Sequence, residues 1–427
     1  MVTGTSLSDV FPLGSRVNEL GRLEVGGCDT LELAREFGTP AYVVAEEDLR
    51  ARARAFLAAG AAAGQADFHV VFASKAFPCT AVLALFAQEG LWCDVASGGE
   101  LHLALGAGFP PARIVVHGNA KSEAELRAAL AHRVGLIVLD NFDEIDRLER
   151  LLGERVDAAD AQPVLVRVTP DVEGETHEKI STGQADSKFG FSLAQAREAL
   201  ARVREHGGLS LRGLHAHIGS QLLTLEPFAR AAEELAKLGE FPVWDLGGGL
   251  GVRYTSAQAP PPSIERYVQQ IVHAARSHGQ GGEHRLLIEP GRALSANAGV
   301  TLYTVQSVKQ NVSRWVAVDG GMSDNLRPML YGAPYEAHVA DRLEGTTPCV
   351  LAGKHCESGD VIAREALLDD PRPGDVIVTP ATGAYGYAMA NNYNGAPRPP
   401  VIFAREGDAR EVVRRESFED LTARDVG

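Results

Sequence analysis

A single lysine ends the short apolar run Phe68-His-Val-Val-Phe-Ala-Ser-Lys75. The length of the run and its β-branched residues predict a buried strand, and Pro78 prevents that strand from continuing as an interior strand. Burial lowers the pKa of a lysine, because the charged ammonium loses its water. A lysine of lowered pKa forms a Schiff base with an aldehyde. The alternative is a lysine whose ammonium reaches water from the strand end.

Seven further apolar runs also end in polar or glycine residues. These runs are Leu91–Val95, Arg113–Val116, Gly135–Leu139, Pro163–Val168, Leu211–His215, Pro242–Leu246 and Arg285–Ile288. The residues at their ends are, in order, Asp94, His117-Gly-Asn, Asp140-Asn141, Arg167, His215 with His217, Gly247-Gly-Gly249 and Glu289-Pro-Gly-Arg292. Eight successive ends of this kind are difficult to explain as eight exposed surfaces, so they predict one site built from strand ends.

The runs alternate with helical stretches such as Ser122–Arg133, Leu193–His206 and Pro227–Leu238. Alternating strands and helices predict a parallel sheet, and eight such units over this length predict a closed (β/α)8 TIM barrel. The alternation stops after Arg292. There the sequence predicts a second, mostly β C-terminal domain, with the segment Asp360–Asp375 as turns.

Two groups near the end of the barrel could bind a phosphorylated ring. Glycines 247 to 249 let backbone N–H groups approach a phosphate, although a flexible turn has the same composition and the GxGxxG spacing is missing. Glu289 could pair with a cationic ring nitrogen and leave Arg292 for a carboxylate, or the two could form an ion pair at the rim. His217 could stack on a ring, but the adjacent His215 leaves that assignment open. No Asp, Glu or Cys lies at ligand spacing from these histidines, so no metal site is predicted.

The composition excludes several classes of protein. A net charge of −15 argues against a nucleic-acid surface. The five cysteines, at 28, 79, 93, 349 and 356, form no CxxC and are odd in number, which favours a reducing interior. No apolar run reaches the length of a membrane span. The sequence therefore predicts a cytoplasmic protein.

Motifs along nearly the whole chain resemble the pyridoxal-phosphate decarboxylases built on the alanine-racemase-type barrel. In the barrel these are Phe72-Ala-Ser-Lys75-Ala, Cys93-Asp-Val-Ala-Ser-Gly-Gly-Glu100, His117-Gly-Asn-Ala-Lys-Ser122, His215-Ala-His-Ile-Gly-Ser220, Asp245-Leu-Gly-Gly-Gly249 and Glu289-Pro-Gly-Arg292. Later motifs resemble the branch that acts on diaminopimelate: Val318-Asp-Gly-Gly-Met-Ser-Asp324, Arg327-Pro-Met-Leu-Tyr331-Gly, Cys356-Glu-Ser-Gly-Asp360 and Gly383-Ala-Tyr385-Gly.

The resemblance implies that pyridoxal 5'-phosphate is the cofactor. Lys75 would hold it as a Schiff base, His217 would stack on its ring, and Glu289 would pair with the ring nitrogen. The expected cofactor-binding residues are Lys75, Asp94, His217, Ser220, Gly248, Gly249, Glu289, Gly291, Arg292 and Tyr385. The expected catalytic residues are Lys75, His217 and the proton donor Cys356.

The resemblance also implies a shared substrate site. Arg292, Arg327 and Tyr331 would hold the far carboxylate of the substrate, together with Tyr385, and Glu357 would hold its far amine. Cys356 and Glu357 would come from the partner subunit of a homodimer. The barrel would span residues 38–294, and residues 1–37 and 295–427 would form a Greek-key-like β-sandwich or barrel.

The function implied is decarboxylation of meso-2,6-diaminopimelate to L-lysine, because two arginines suit a substrate with a second carboxylate. Three alternatives remain. A paralogue could act on ornithine, arginine or carboxynorspermidine, and the departures at Ser74 and at Pro334-Tyr335 leave room for one. A racemase of this fold is opposed by Glu289, since such racemases resemble one another in placing an arginine at the ring nitrogen. A silent regulator would typically lack the lysine or the cysteine.

Overall fold

The computed structural model describes residues 7–153, 161–172, 187–278 and 284–427, which divide into two compact units. The barrel unit comprises Arg52–Gly251 and Pro261–Arg292, and the β unit comprises Met1–Ala51, Val252–Pro260 and Ala293–Gly427. These bounds differ from the predicted boundaries at residues 38 and 294. The difference arises because Ala41–Ala45 pairs with strands of the β unit instead of with the barrel.

The predicted eight-stranded parallel barrel is confirmed. Each strand pairs in parallel with the next along the chain, and the last pairs with the first through Leu286 and Phe68, which closes the barrel. The strands are Phe68–Ala73, Trp92–Val95, Ile114–Val116, Leu136–Leu139, Gln162–Arg167, Leu209–His215, Val243–Asp245 and Arg285–Ile288. Burial on both faces explains why most of these strands are short apolar runs in the sequence, although Leu209–His215 also carries the exposed Arg212.

Helices follow the barrel strands, and several of them begin at a serine or asparagine cap. Ser122 and Ser192 each form a capping box, in which the serine and the residue three positions later satisfy each other's backbone N–H groups. The helices of the barrel unit are Glu46–Ala62, Thr80–Gln88, Gly98–Gly106, Glu123–His132, Phe142–Leu152, Leu193–Glu205, Glu226–Ala236 and Ile264–Ser277. The first of these begins in the β unit.

The barrel interior contains a layer of apolar side chains. This layer consists of Val71, Trp92, Val115, Leu136, Val138, Leu165, Val243 and Leu287. A filled interior leaves no pore, so polar side chains at the carboxyl ends of the strands lie above an apolar floor. Interactions between charges are stronger there than in water.

The β unit is built around the long strand Gly299–Gln310. Its first half pairs with Ala41–Ala45 and with Val376–Thr379, and its second half pairs with Arg314–Val318. The remaining strands of this nine-stranded sheet are His338–Val339, Thr347–Ala352, Val361–Leu368, Val401–Arg405 and Asp408–Val413. A separate three-stranded sheet comprises Arg16–Val17, Leu23–Val25 and Cys28–Asp29. The helices are Thr30–Phe37, Arg292–Ser295 (which begins in the barrel unit), Arg327–Tyr331, Gly386–Met389 and Phe418–Thr422.

The prediction of turns throughout Asp360–Asp375 is wrong, because Val361–Leu368 is a strand paired antiparallel with Thr347–Ala352. Two register shifts interrupt this pairing, next to Leu351. A bulge of this kind breaks the alternation of buried and exposed side chains, and that alternation is the signal by which a strand is detected in sequence.

The five cysteines carry no disulfide: four are buried and Cys356 is exposed. Across the described ranges, no helix has both the length and the apolar character needed to cross a membrane.

Candidate active site

Glu289 follows the last barrel strand and carries a buried carboxylate between two imidazoles. His117 Nε2 lies 2.6 Å from Glu289 Oε1, and His215 Nε2 lies 3.2 Å from Oε2. Burial alone would raise the pKa of Glu289, but its electrostatic interactions and hydrogen bonds with His117 and His215 outweigh burial and hold that pKa well below its usual range. The site therefore contains a permanent carboxylate, as pairing with a cationic ring nitrogen requires.

The two histidines after the sixth strand are neutral and differ in role. Burial lowers the pKa of His215 to about 4, so its Nε2–H donates to Glu289 as a neutral imidazole. Burial and the charge of Lys75 hold the pKa of His217 well below its usual value. Gly248 N–H donates to His217 Nδ1 at 3.2 Å, which places the proton of His217 on Nε2. His215 thus supports the carboxylate of Glu289, whereas His217 is a neutral imidazole whose ring face could stack on another ring.

Lys75 lies in a short 3-10 turn, Ser74–Ala76, directly after the first strand, and its side chain is exposed. The expectation of a buried lysine is therefore wrong. Its charge acts on its neighbours instead. Burial raises the pKa of Asp94 to about 6, against the opposing effects of His117 and Lys75. An accessible amine close to buried acids and imidazoles can still meet an aldehyde.

Asp245 ends the seventh strand, fully buried, and its Oδ1 accepts the N–H of Gly247 at 2.9 Å. One polar atom from each of His117, His215, Asp245 and Glu289 lies within 4.8 Å of all the others. The structure therefore contradicts the argument that no acid lies near His215, since barrel closure brings two acids to it. His117 and His215 each lie within ion-pair distance of Glu289, so this cluster is a network of proton donors and acceptors.

The glycine loop packs too closely to accept side chains. A Cβ at Gly248 would lie 2.1 Å from the carbonyl oxygen of Glu289. Gly249 has φ of +128° and would clash with the carbonyl of Gly219. Nearby, Arg292 Nη2 donates to Ser220 Oγ at 2.8 Å. A guanidinium, a hydroxyl and glycine N–H groups form a donor set typical of a phosphate site.

Gly291 packs against the carboxyl end of the first barrel strand. A Cβ at this position would meet the Cβ atoms of Ala73 and Ala76 at 3.0 Å. The loop that carries Glu289 and Arg292 therefore packs directly against the turn that carries Lys75. This packing sets the position of the lysine relative to the glutamate.

In the β unit, Arg327 is buried among aromatic rings. Its guanidinium carbon lies 4.5 Å from the centre of the Tyr254 ring, and Nη1 donates to the Tyr335 hydroxyl at 2.5 Å. In the sequence, Tyr335 is only a departure from the family pattern. In the structure, its hydroxyl orients Arg327, which is predicted to bind the substrate. Tyr331, at the end of the same short helix, and Tyr385, with φ of +64°, are partly buried.

A second arrangement in the β unit supports Cys356 and Glu357, which are both exposed. The buried carboxylate of Asp360 accepts the backbone N–H groups of Met322 at 2.7 Å and His355 at 2.9 Å. It therefore joins the loop before Asp324 to the loop of Cys356. No local pattern indicates this role, because aspartate in a glycine-rich loop is common in turns.

Comparison with known proteins agrees with this geometry. A family model described as "Pyridoxal-dependent decarboxylase, pyridoxal binding domain" matches residues 47–296. The barrel and its polar strand ends are thus those of a pyridoxal-dependent decarboxylase. Diaminopimelate decarboxylases from Bacillus subtilis (47% identity; 96% of this chain, 97% of the relative) and Actinosynnema pretiosum (46%; 98% and 95%) match almost from end to end. The chain belongs to the diaminopimelate decarboxylase family, and the resemblance seen in its motifs is confirmed.

Solved structures give the same result. Diaminopimelate decarboxylase from M. jannaschii in complex with L-lysine superimposes with a TM-score of 0.89 at 32% identity, over 97% of this chain and 98% of that one. The enzyme from Helicobacter pylori with L-lysine gives 0.85 at 32% identity, over 92% and 98%.

Proposed function

We propose that this protein decarboxylates meso-2,6-diaminopimelate to L-lysine and CO₂, with pyridoxal 5'-phosphate as cofactor. The observation that carries the proposal is Glu289, which His117 and His215 hold as a carboxylate at the barrel strand ends. A racemase with arginine at this position would keep the ring nitrogen unprotonated. The relatives' names and the lysine complexes support the substrate and the product.

The residues present fit this cofactor. Glu289 is an anion for the ring nitrogen, His217 is a neutral ring that can stack, and Lys75 Nζ is exposed to hold the aldehyde carbon covalently. Ser220, Arg292 and the backbone at Gly248 and Gly249 would bind the phosphate, and Gly291, Tyr385 and Asp94 would be further cofactor-binding residues. When bound, pyridoxal phosphate supplies an electron sink for the pair left by the departing CO₂.

The arginines account for the choice of substrate. Arg327, with Arg292, Tyr331 and Tyr385, would bind the carboxylate that the reaction leaves untouched, and Glu357 would bind the amine beside it. A guanidinium matches a carboxylate with two parallel hydrogen bonds. A substrate that lacks this carboxylate would leave the buried charge of Arg327 without an anionic partner, which is unfavourable. This disfavours ornithine and arginine as substrates.

We further propose a homodimer in which Cys356 and Glu357 of one subunit complete the site of the other. Both side chains are exposed in the single chain, yet Asp360 holds their loop in a defined shape. Cys356 would deliver a proton to the carbon that loses CO₂. The reduced cysteines favour the cytoplasm as the place of action.

The function is tested by CO₂ release and product identification from purified protein loaded with pyridoxal phosphate. The substrates are meso-diaminopimelate, L-ornithine, L-arginine and carboxynorspermidine. We expect L-lysine from meso-diaminopimelate and no turnover of the others at comparable rates. Preferred turnover of another substrate would identify a paralogue, and silence with all four despite cofactor binding would favour a regulator.

Cys356→Ala is expected to lower kcat by about 10²–10³-fold, because it removes a positioned proton donor. Binding of the cofactor should not change, and Cys356→Ser should recover part of the rate. Steady-state kinetics and the visible absorbance of the bound cofactor measure the two effects. Full activity of Cys356→Ala would remove the thiol from the reaction.

The shared site gives a separate expectation. Co-expressed Lys75→Ala and Cys356→Ala chains should form mixed dimers with one intact site, and recover about a quarter of wild-type activity from two nearly inactive variants. The same experiment with Cys356→Ala and Glu357→Ala should recover nothing, because both changes lie on one loop. Equal recovery in the two mixtures would contradict the shared site.

A further inference from the structure

Asp245 has no role in the function proposed above, although it lies within the same buried cluster. We propose that Asp245 is a positioning residue that carries a proton and donates an O–H hydrogen bond to Glu289, which keeps that glutamate an anion at the cofactor ring nitrogen. The inference deepens the proposed function and rests on it for the role of Glu289. The proton on Asp245 can be tested without any assay of decarboxylation.

The two oxygens of the Asp245 carboxyl have different environments. Its Oδ1 accepts the Gly247 N–H, whereas no donor from the described part of the chain reaches its Oδ2. A bare carboxylate oxygen without a donor is costly inside an apolar barrel. A hydroxyl at the same place is stable if an acceptor is near. The geometry therefore favours the protonated acid.

Glu289 is the acceptor for the Asp245 hydroxyl. Glu289 offers carboxylate oxygens within the same 4.8 Å cluster. Two ionised carboxyl groups at this spacing repel each other in a medium of low dielectric, so one of them holds a proton. The imidazoles of His117 and His215 stabilise the charge on Glu289, which leaves the proton to Asp245. The pKa directions agree: burial and then the charge of Glu289 raise the pKa of Asp245 well above its usual value.

The consequence concerns the proton between Glu289 and the ring nitrogen. Each hydrogen bond that Glu289 accepts lowers its affinity for a proton, so the proton stays on the nitrogen. Without the O–H of Asp245, the pKa of Glu289 rises and the proton shifts from the ring to the glutamate. Loss of the anionic Glu289 would then begin at a higher pH, which moves the acid limb of kcat/KM to higher pH.

The first test detects the proton directly. Protein labelled with ¹³C at aspartate side-chain carboxyls is examined by infrared spectroscopy near neutral pH, with and without pyridoxal phosphate, and the Asp245→Asn spectrum is subtracted. We expect the difference to contain the C=O band of a protonated acid. A difference that contains only ionised carboxylate bands would overturn the proposal, whatever the enzyme's activity.

The second test reads the ring nitrogen itself. Wild type, Asp245→Asn and Asp245→Val are loaded with pyridoxal phosphate labelled with ¹⁵N in the ring and compared by NMR. Asparagine can still donate to Glu289 and accept from Gly247, so its ring resonance should match that of wild type. Valine should shift the resonance toward unprotonated pyridine and move the acid limb of kcat/KM to higher pH. Equal shifts in both variants, or in neither, would contradict the proposal. Should Asp245→Val fail to fold, the infrared result decides.

Discussion

Lys75→Ala is expected to lower kcat for diaminopimelate by at least about 10³-fold, because it removes the amine that would hold the cofactor aldehyde covalently. The cofactor itself should still bind, since the phosphate donors Ser220 and Arg292 and the carboxylate of Glu289 are unchanged. Borohydride reduction followed by mass spectrometry should attach the cofactor to wild-type protein at residue 75 and leave the variant unmodified. Steady-state CO₂ release measures the rate.

Lys237 offers a matched control in the same unit. It lies in an exposed ion pair with Glu234, and such surface pairs contribute at most about 1 kcal/mol to stability. Lys237→Ala should therefore keep both activity and trapping at residue 75. Added methylamine should partly restore the rate of Lys75→Ala, because a small amine can reach the exposed position of the missing side chain. A fully active Lys75→Ala without added amine would remove the lysine from the reaction.

The barrel could be predicted because its signals are local. Most strands are short apolar runs, and the observed bounds of Ile114–Val116 and Arg285–Ile288 lie within a residue of the predicted ones. The polar strand ends followed from the same runs. A strand buried on both faces shows its burial directly as an apolar run, so it can be recognised without knowledge of its neighbours.

The contacts within the site could not be predicted, because they depend on closure of the barrel. His117, Asp245 and Glu289 follow the third, seventh and eighth strands, and nothing in their spacing places them together. For the same reason, the sequence wrongly indicates that no acid lies near His215. Exposure of Lys75 also depends on the turn Ser74–Ala76, where the chain leaves the barrel wall, and the apolar run before it gave the opposite indication.

The β unit was harder to predict for a different reason. Three of its strand pairings contain register shifts, so the strands concerned depart from simple alternation of buried and exposed side chains, as in Val361–Leu368. Tyr335 shows the effect on the site. Its hydroxyl accepts a hydrogen bond from Arg327, a pairing that no local pattern reveals.

Arg327→Ala is expected to lower kcat/KM for meso-diaminopimelate by about 10²–10³-fold, mostly through KM. Removing one partner of a buried, hydrogen-bonded charge pair costs roughly 2–5 kcal/mol, and each 1.4 kcal/mol is about tenfold. Arg327→Lys keeps the charge but loses the planar fork of the guanidinium, so its kcat/KM should lie between those of wild type and Arg327→Ala. Tyr335→Phe removes only the hydroxyl that orients the guanidinium, and its loss should be smaller than that of Arg327→Ala.

The cation–π contact with Tyr254 allows another explanation, in which Arg327 acts only by packing. Inhibition by two related molecules separates the explanations. L-lysine retains the carboxylate assigned to Arg327, whereas cadaverine lacks it. If the guanidinium binds that carboxylate, Arg327→Ala weakens inhibition by L-lysine and leaves cadaverine nearly unchanged. If Arg327 only supports the fold of the β unit, both inhibitors weaken together and the thermal midpoint of unfolding falls. The carboxylate assignment, and with it the preference for diaminopimelate, would then lose its structural basis.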